Sequence, residues 1–344
     1  MVVRILSSDL LICDVLLPLE GNAQLAPLIA EYNLAHPESP IVAGSKSPLT
    51  AEEFVEWQRV VGARGSHLAG GSAANTLSTL KQLLGEAVRI DFIAAYGADA
   101  AGDVIADSLA RDGFHLLPQA EPFVDVQTAT SFVLVDANGE RSIVGFGGTS
   151  RQKILAAFAE KKLPEDYDIL FLSGSLWQKY GAEFARKLYG SCIEDGKKLW
   201  LSLPTHSQSG REYNDAVRAL IPQAEVVLAN AEELKRLYAC AQLEEALAAL
   251  QAMLGEHMAF ITDGERGAVV VIKNALHYVA PENVPAHEIK NTLGAGDAAF
   301  AGFLYGVLQK MPPEKSANIA MKLAAENMKH ESARITDARR VIAQ

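Results

Sequence analysis

Asn291-Thr292-Leu293-Gly294-Ala295-Gly296-Asp297 runs without a break into AAFAGFLYGVL, and this junction holds the residues best suited to chemistry. Gly294 and Gly296 allow a tight turn and a close approach of backbone to a ligand. The apolar run that follows has helical spacing, and a helix presents unpaired N–H groups and the positive end of its dipole in its first turn. The backbone at Gly294, Ala295 and Gly296 is therefore a candidate anion site. A carboxylate beside a bound anion is costly unless it works, so Asp297 reads as a general base next to a phosphate. Two other readings stand beside it. Asp297 could simply cap the helix, and Gly294, Gly296 and Ala299 fit the dinucleotide-binding pattern G-x-G-x-x-A. The latter needs a strand before it and a βαβ unit after it, and here Pro285 to Lys290 is a weak strand with too short a chain following.

Three further segments carry candidate chemistry. Gly70-Gly71-Ser72-Ala73-Ala74-Asn75 opens a helical stretch to Leu84, where Asn75 offers a donor and an acceptor to a polyhydroxylated ligand. The same residues also read as a glycine turn with Ser72 as N-cap, or as a hydrolase elbow lacking its second glycine. Asn230-Ala231-Glu232-Glu233 follows the strand EVVLA, so Asn230 and Glu233 fall where ligands bind in an open α/β sheet. Glu233 suits a hydrated Mg²⁺, and the same spacing is that of a capping box. Thr262-Asp263-Gly264-Glu265-Arg266-Gly267, between MAFIT and AVVVI, is either a turn or a loop offering small residues and the Arg266 cation to a nucleotide. No P-loop exists, since Gly196-Lys197 lacks the preceding glycine, so any ATP must be held in another way.

The elements that must position these residues alternate. Apolar or β-branched runs at Val2 to Leu6, Val88 to Ala95, Asp168 to Ser173, Leu199 to Leu203, Glu225 to Ala229 and Met258 to Thr262 read as strands. Between them, Ser72 to Leu84, Gly102 to Arg111, Ala182 to Glu194, Glu212 to Ile221 and Leu243 to Leu254 have helical spacing. This alternation predicts an α/β fold with a mostly parallel sheet covered by helices. TATSFVLV and ERSIVGF, joined through Asn138-Gly139, instead predict a hairpin in a small antiparallel sheet, joined by Asp14 to Leu17 and the segment near His67. Residues 21–58, with Pro27, Pro37, Pro40 and Pro48, read as an insertion of short helices and loops, and Glu314 to Met328 as a closing helix.

Composition bounds the partners. The 344 residues are 49% hydrophobic and 21% charged, as in a folded globular chain and unlike a disordered or fibrous one. Thirty-one Lys and Arg against 42 Asp and Glu give a net charge of −11 and no basic stripe, which disfavours nucleic acid and anionic membranes. Asp9 and Asp14 interrupt the apolar N-terminus where a signal peptide would be uninterrupted, and no run approaches the ~20 apolar residues of a membrane span. Cys13, Cys192 and Cys240 form no CxxC pair and the histidines no HExxH, so neither a disulfide framework nor a zinc site is expected, and a reducing cytoplasm is the expected home.

The four segments, in this order and spacing, resemble the ribokinase-like (pfkB-type) family of carbohydrate and nucleoside kinases over nearly the whole chain. The closing segment is similar to the family signature D-T-x-G-A-G-D, with Asn291 in place of the leading Asp. The resemblance implies a three-layer α/β/α sandwich in one domain spanning 1–344. A discontinuous β lid would come from roughly 12–20, 59–69 and 122–147, with 21–58 inserted. It implies ATP and Mg²⁺ as cofactors and a sugar or nucleoside hydroxymethyl as acceptor, in a monomer or homodimer. It makes Asp297 the base, with the Gly294 to Gly296 amides as the anion hole. Asp14, Gly70, Gly71 and Asn75 would bind substrate. Asn230, Thr262, Gly264, Arg266, Gly267 and Asn291 would serve ATP, and Glu233 the metal. The insertion, Ser173-Gly174-Ser175-Leu176-Trp177 and Leu201-Ser202-Leu203-Pro204 look most like the adenosine kinase branch. Asn291 removes a negative charge near the phosphates, which implies altered metal dependence and keeps open an alternative, a catalytically weakened nucleoside or sugar sensor of the same fold.

Overall fold

The computed structural model describes residues 2–9, 11–117, 123–137, 141–149, 166–174, 196–203 and 211–343. The chain opens with β1 (Val3–Ser8), β2 (Ile12–Pro18), α1 (Leu25–Ala35), β3 (Lys46–Pro48), α2 (Ala51–Val61), β4 (Ser66–Gly70) and α3 (Ser72–Leu84). There follow β5 (Val88–Ile93), α4 (Ala100–Arg111), β6 (His115–Leu117), β7 (Ala129–Val135), β8 (Arg141–Phe146), β9 (Ile169–Leu172) and β10 (Lys198–Ser202). The remainder comprises α5 (Arg211–Leu220), β11 (Val226–Asn230), α6 (Ala231–Tyr238), α7 (Leu243–Leu254), β12 (Met258–Thr262), β13 (Ala268–Ile272), β14 (Ala275–Val279), α8 (Ala295–Leu308), α9 (Pro313–Asn327) and α10 (Ala338–Ile342). The expected helix over Ala182 to Glu194, the Asn138-Gly139 turn, and Ser175, Leu176, Trp177, Cys192 and Pro204 lie outside the described residues.

A nine-stranded sheet runs β14-β13-β12-β11-β10-β9-β1-β5-β6. Its pairings are parallel from β12 to β6, and β13 and β14 add antiparallel at one edge. Its strands are apolar on both faces because successive side chains alternate between two helical layers. Leu6, Leu170, Leu172, Leu199 and Leu201 pack with α5, α6 and α7. Their neighbours Ile5, Ile169, Phe171 and Trp200 pack with α3, α4, α8 and α9 on the other side. This is the expected α/β sandwich with a mostly parallel sheet.

The second sheet has five strands in the order β3-β8-β7-β2-β4. It is antiparallel at β2–β4 and at β7–β8, and parallel at β2–β7 and β3–β8. Strand β3 lies inside the segment expected to hold helices and loops only. Lys46-Ser47-Pro48 is too short and too polar to show alternation, and it is defined by its partner β8. Helix α2 starts at a full capping box of Thr50 and Glu53 and runs on to Val61, into the 59–69 stretch expected to be sheet, because Phe54, Trp57 and Val61 recur at helical spacing and are buried together. Cys13, Val15, Leu17, Phe132, Leu134 and Val144 line one face of this sheet and pack on Leu25, Leu28 and Tyr32 of α1 and Phe54, Trp57 and Val61 of α2. The opposite parity puts Asp14, Ser131 and Arg141 on the other face.

Helix α8 crosses α9 at close range. A Cβ on Gly302 would lie 2.8 Å from Ala320 Cα and 2.9 Å from its amide nitrogen. Gly302→Val is therefore expected to force the helices apart at a cost of about 1–3 kcal/mol. The check is a lower urea midpoint at unchanged slope.

Candidate functional site

Strand β1 lies between β9 and β5, to which the chain runs in opposite directions across the sheet. Ligands in such sheets sit beyond the carboxyl ends of the strands at this reversal. Asp9 follows β1 there, Asn230 is the last residue of β11 and Thr262 the last of β12.

Asp297 stands in the first turn of α8. The turn before it is made by Gly294, left-handed at φ 79°, where a Cβ would fall 2.2 Å from the Ala333 carbonyl oxygen. The bond from Ala298 N–H to Gly294 O, 2.8 Å, is the first rung of the helix ladder, so the amides of Gly296 and Asp297 precede it and face outward. The Asp297 carboxylate accepts from Ser72 Oγ at 2.5 Å through Oδ1 and from Asn75 Nδ2 at 2.9 Å through Oδ2. Burial raises its pKa to about 7; the Ser72 and Asn75 bonds oppose the rise, Asp9 adds to it and Arg334 opposes it. A carboxyl that titrates near neutrality is what general-base work requires.

Helix α3 begins at the same point. Its N-cap is Gly71 at φ 122°, and Ser72, read from sequence as the cap, is instead the first helical residue and turns its hydroxyl to Asp297. Asp9, buried, accepts from Ala73 N–H at 2.7 Å, a carboxylate at the positive end of α3. Asn75 is 5% exposed. Gly70 abuts the Asp14 carboxylate, its absent Cβ falling 2.5 Å from Asp14 Oδ2. Burial pushes Asp14 up to about 7, against the hydrogen bond from Ser131 and the charges of Arg141 and Arg334. Gly70 beside Asp14, and Gly71 and Asn75 at the start of α3 beside Asp297, thus lie close together, with the charge of Arg334 acting on both carboxyls.

Asn230 and Glu233 form a reciprocal capping box on α6. Glu233 N–H donates to Asn230 Oδ1 at 2.9 Å, and Asn230 N–H to Glu233 Oε2 at 2.8 Å. The capping reading therefore holds, yet Glu233 is more than a cap. It is 5% exposed, and burial lifts its pKa to about 8. The Asn230 N–H and Arg236 lower it, the negative charge of Asp297 raises it, and Lys46 from β3 lowers it, so Glu233 and Asp297 share one electrostatic environment. Thr262 pairs with Asn230 across β11 and β12. The turn Gly264–Arg266 follows, ending at Gly267 against the Val279 carbonyl. Arg266 is exposed and held bidentately by Asp263 at 2.7 and 2.8 Å, so its charge is already matched within the loop.

Asn291 is buried and its side chain makes three hydrogen bonds. Its Oδ1 accepts from Arg141 on β8 and from Leu293 N–H, and its Nδ2 donates to the Glu331 carbonyl. An Asp here could not make that last bond, which is a physical reason for the amide. Residues Pro285 to Lys290 form no strand but a loop with a short turn over Ala286–Glu288. Helix α8 therefore lacks the preceding strand that the dinucleotide reading requires.

Sequence reasoning missed Arg334, Ser131, the role of Asp9 and the reach of Arg141, read only as part of the lid hairpin, to Asn291. None stands in a local motif, and each reaches the site through a contact distant in the chain. Among the described residues, no three His, Cys, Asp or Glu side chains are grouped to hold a metal ion, and no helix is long and apolar enough to cross a membrane.

Comparison with known proteins agrees with this architecture. Structures that match over nearly the whole chain include an adenosine kinase from Sinorhizobium meliloti, with TM-score 0.79 and 20% identity, covering 99% of each chain. A probable sugar kinase from Rhizobium etli matches with TM-score 0.78 and 22% identity, covering 99% of this chain and 98% of that one. At this identity the likeness is one of fold. Ribokinase from Arabidopsis thaliana is 24% identical over 304 residues, 85% of this chain and 76% of that protein. Adenosine kinase from Saccharomyces cerevisiae is 22% identical over 313 residues, 87% and 88% of the two chains. The profile described as "pfkB family carbohydrate kinase" matches residues 41–339, which takes in every site segment except β1 and β2. The chain belongs to the pfkB family of carbohydrate kinases, phosphotransferases with an alcohol group as acceptor.

Proposed function

We propose that this kinase transfers the terminal phosphoryl group of ATP to a hydroxymethyl group of a sugar or nucleoside, with an adenosine-like nucleoside favoured. The observation that carries the reading is the Asp297 carboxylate, titrating near 7, at the N-terminus of α8 and held by Ser72 and Asn75. Kinases of the family use ATP as donor. The adenosine preference rests on the adenosine kinases among the relatives and on the Leu201-Ser202-Leu203 and Ser173-Gly174 segments at the carboxyl ends of β10 and β9.

In this reading Asp297 accepts the hydroxyl proton as the oxygen attacks. The Gly294 to Gly296 turn stabilises the charge on the moving phosphoryl group through its outward Gly296 amide, the Ala295 amide being turned back to the Thr292 carbonyl at 3.3 Å, and two fixed hydrogen bonds keep the base from rotating. Asp14, Gly70, Gly71 and Asn75 hold the acceptor hydroxyls, and Asn230, Thr262, Gly264, Arg266, Gly267 and Asn291 line the donor side. Glu233 would hold Mg²⁺: a buried carboxylate, with no group of three His, Cys, Asp or Glu side chains among the described residues, fits an ion that takes most of its ligands from phosphate and water. When bound, the ion neutralises charge on the phosphate oxygens. The whole chain acts as one kinase domain, and the five-stranded sheet acts as a lid that excludes water and so limits hydrolysis of ATP.

ADP release from ATP and Mg²⁺ should be measured against adenosine, other nucleosides, ribose, fructose and phosphorylated sugars, with Asp297→Asn as blank. Turnover on one acceptor that vanishes in the variant supports the reading; calorimetric binding without turnover moves it to a sensor. Glu233→Gln is expected to raise the Mg²⁺ concentration for half-maximal activity about tenfold or more, since disturbing even the groups that orient a metal ligand costs about 10–100-fold. An unchanged Mg²⁺ titration would remove Glu233 from the metal site.

A further inference from the structure

We propose that Arg334, in the segment between α9 and α10, is a positioning residue that fixes the orientation of the Asn75 amide against Asp297. Its effect on turnover rests on the kinase reading above; its effect on the carboxylate does not.

Arg334 is anchored before it reaches the site. Its side chain is 11% exposed, and Nη1 donates to the Asp112 carboxylate, at the end of α4, and to Ser108 Oγ within that helix. From this mount Nε donates to Asn75 Oδ1 at 2.9 Å. A guanidinium carries donors and no acceptor, so the Asn75 atom facing it must be oxygen. The opposite end of that amide is then nitrogen, and it is this Nδ2 that donates to Asp297 Oδ2 at 2.9 Å. With the amide reversed, oxygen would face the carboxylate and nitrogen the guanidinium, acceptor against acceptor and donor against donor. Arg334 forbids that state. It also leaves Asn75 one N–H beyond the one given to Asp297.

The arrangement is not explained by the needs of Arg334 itself. Its Nη2 is buried with no hydrogen-bond partner among the described residues, a costly state for a group held only for packing. Its charge also acts on both site carboxyls, lowering the pKa of Asp14 and of Asp297. The groups facing Asp297 are Ser72 and Asn75 from α3, Asp9 from the turn after β1, Glu233 from α6 and Arg334, which makes Arg334 the cation that offsets Asp9.

The test compares Arg334→Gln, Arg334→Lys and the double variant Asp112→Asn/Arg334→Gln, which removes the buried ion pair together should the single variant fail to fold. Carboxyl ¹³C NMR follows the titration of Asp297, identified by the resonance lost in Asp297→Asn. Loss of the guanidinium is expected to raise its midpoint by about half a pH unit or more, as loss of a nearby opposite charge does, with Arg334→Lys between. Turnover with ATP, Mg²⁺ and adenosine is expected to fall about tenfold or more in Arg334→Gln. In an Asn75→Ala background the same change should cost less than about twofold, because coupled residues are not additive. An unmoved midpoint in Arg334→Gln, or full additivity with Asn75→Ala in whichever of Arg334→Gln and the double variant folds, overturns the assignment; the double variant, which loses Asp112 as well, is judged by turnover. Adenosine turnover retained by Asp297→Asn would instead overturn the base, leaving the midpoint to judge Arg334.

Discussion

Asp297→Asn is expected to lower turnover by about 10²–10⁴-fold, the usual range for losing a general base. The variant is close to isosteric. With its oxygen toward Asn75 Nδ2, the amide introduced at position 297 can donate to Ser72 Oγ once that hydroxyl turns its proton away, so both contacts can persist and the loss is one of basicity. Steady-state turnover and calorimetric binding together make the check, with affinity for substrates little changed; retention of more than about a tenth of the activity sinks the base role. The same group sets a pH dependence. With its folded pKa raised to about 7, Asp297 is protonated below that value, so turnover falls as pH drops through neutrality. Its contribution to stability has the opposite trend. Because folding raises the pKa, the folded state binds the extra proton, and this stability is present below about pH 4, the unfolded value, and is lost as pH rises through about 7. Asp14 and Glu233 have raised pKa values, about 7 and about 8, and add to the same trend. Asp297→Asn should therefore flatten the decline of melting temperature between these pH values as it abolishes activity.

Gly294→Ala is expected to cost at least about 10²-fold in turnover, as a displacement of about 1 Å does at a reacting centre. The added methyl would meet Ala333 backbone atoms at 2.2 and 2.8 Å, and φ is 79°, where a side chain is strained. The turn must shift, and with it the first-turn amides and Asp297 itself. Gly296→Ala is the comparison: no atom lies within 4 Å of its missing Cβ, so little activity should be lost through packing. Equal losses in both variants would show that the outward amide surface, and not the turn, is what alanine disturbs.

The main sheet and its helices were legible because each carries its own signal. α3 has helical spacing between Gly71 and Gly85, α7 ends at Gly255, and β12 and its neighbours are short β-branched runs. The Asp297 turn was legible for the same reason, being local. Strand β3 was not, since its three residues carry no alternation. Arg334 was invisible because the contact that gives it meaning spans 259 residues of chain. Asn291 read as a missing charge, whereas folding reveals a donor satisfying the Glu331 carbonyl. Asp9 read as an interruption of an apolar run, and is a partner of the α3 N-terminus.

The packing of α1 and α2 over the five-stranded sheet has a consequence for self-association. With one face covered from within the chain, sheet-to-sheet growth through that face is closed, and strand addition must take place at an edge. One edge is β3, three residues long and bounded by Lys46 and Pro48, a cation and a residue with no N–H to donate. The chain thus shields its smaller sheet by a helical cover over one face and by a blunt margin at β3, two features that disfavour growth of strands there, while the edge at the other end of the sheet is β4.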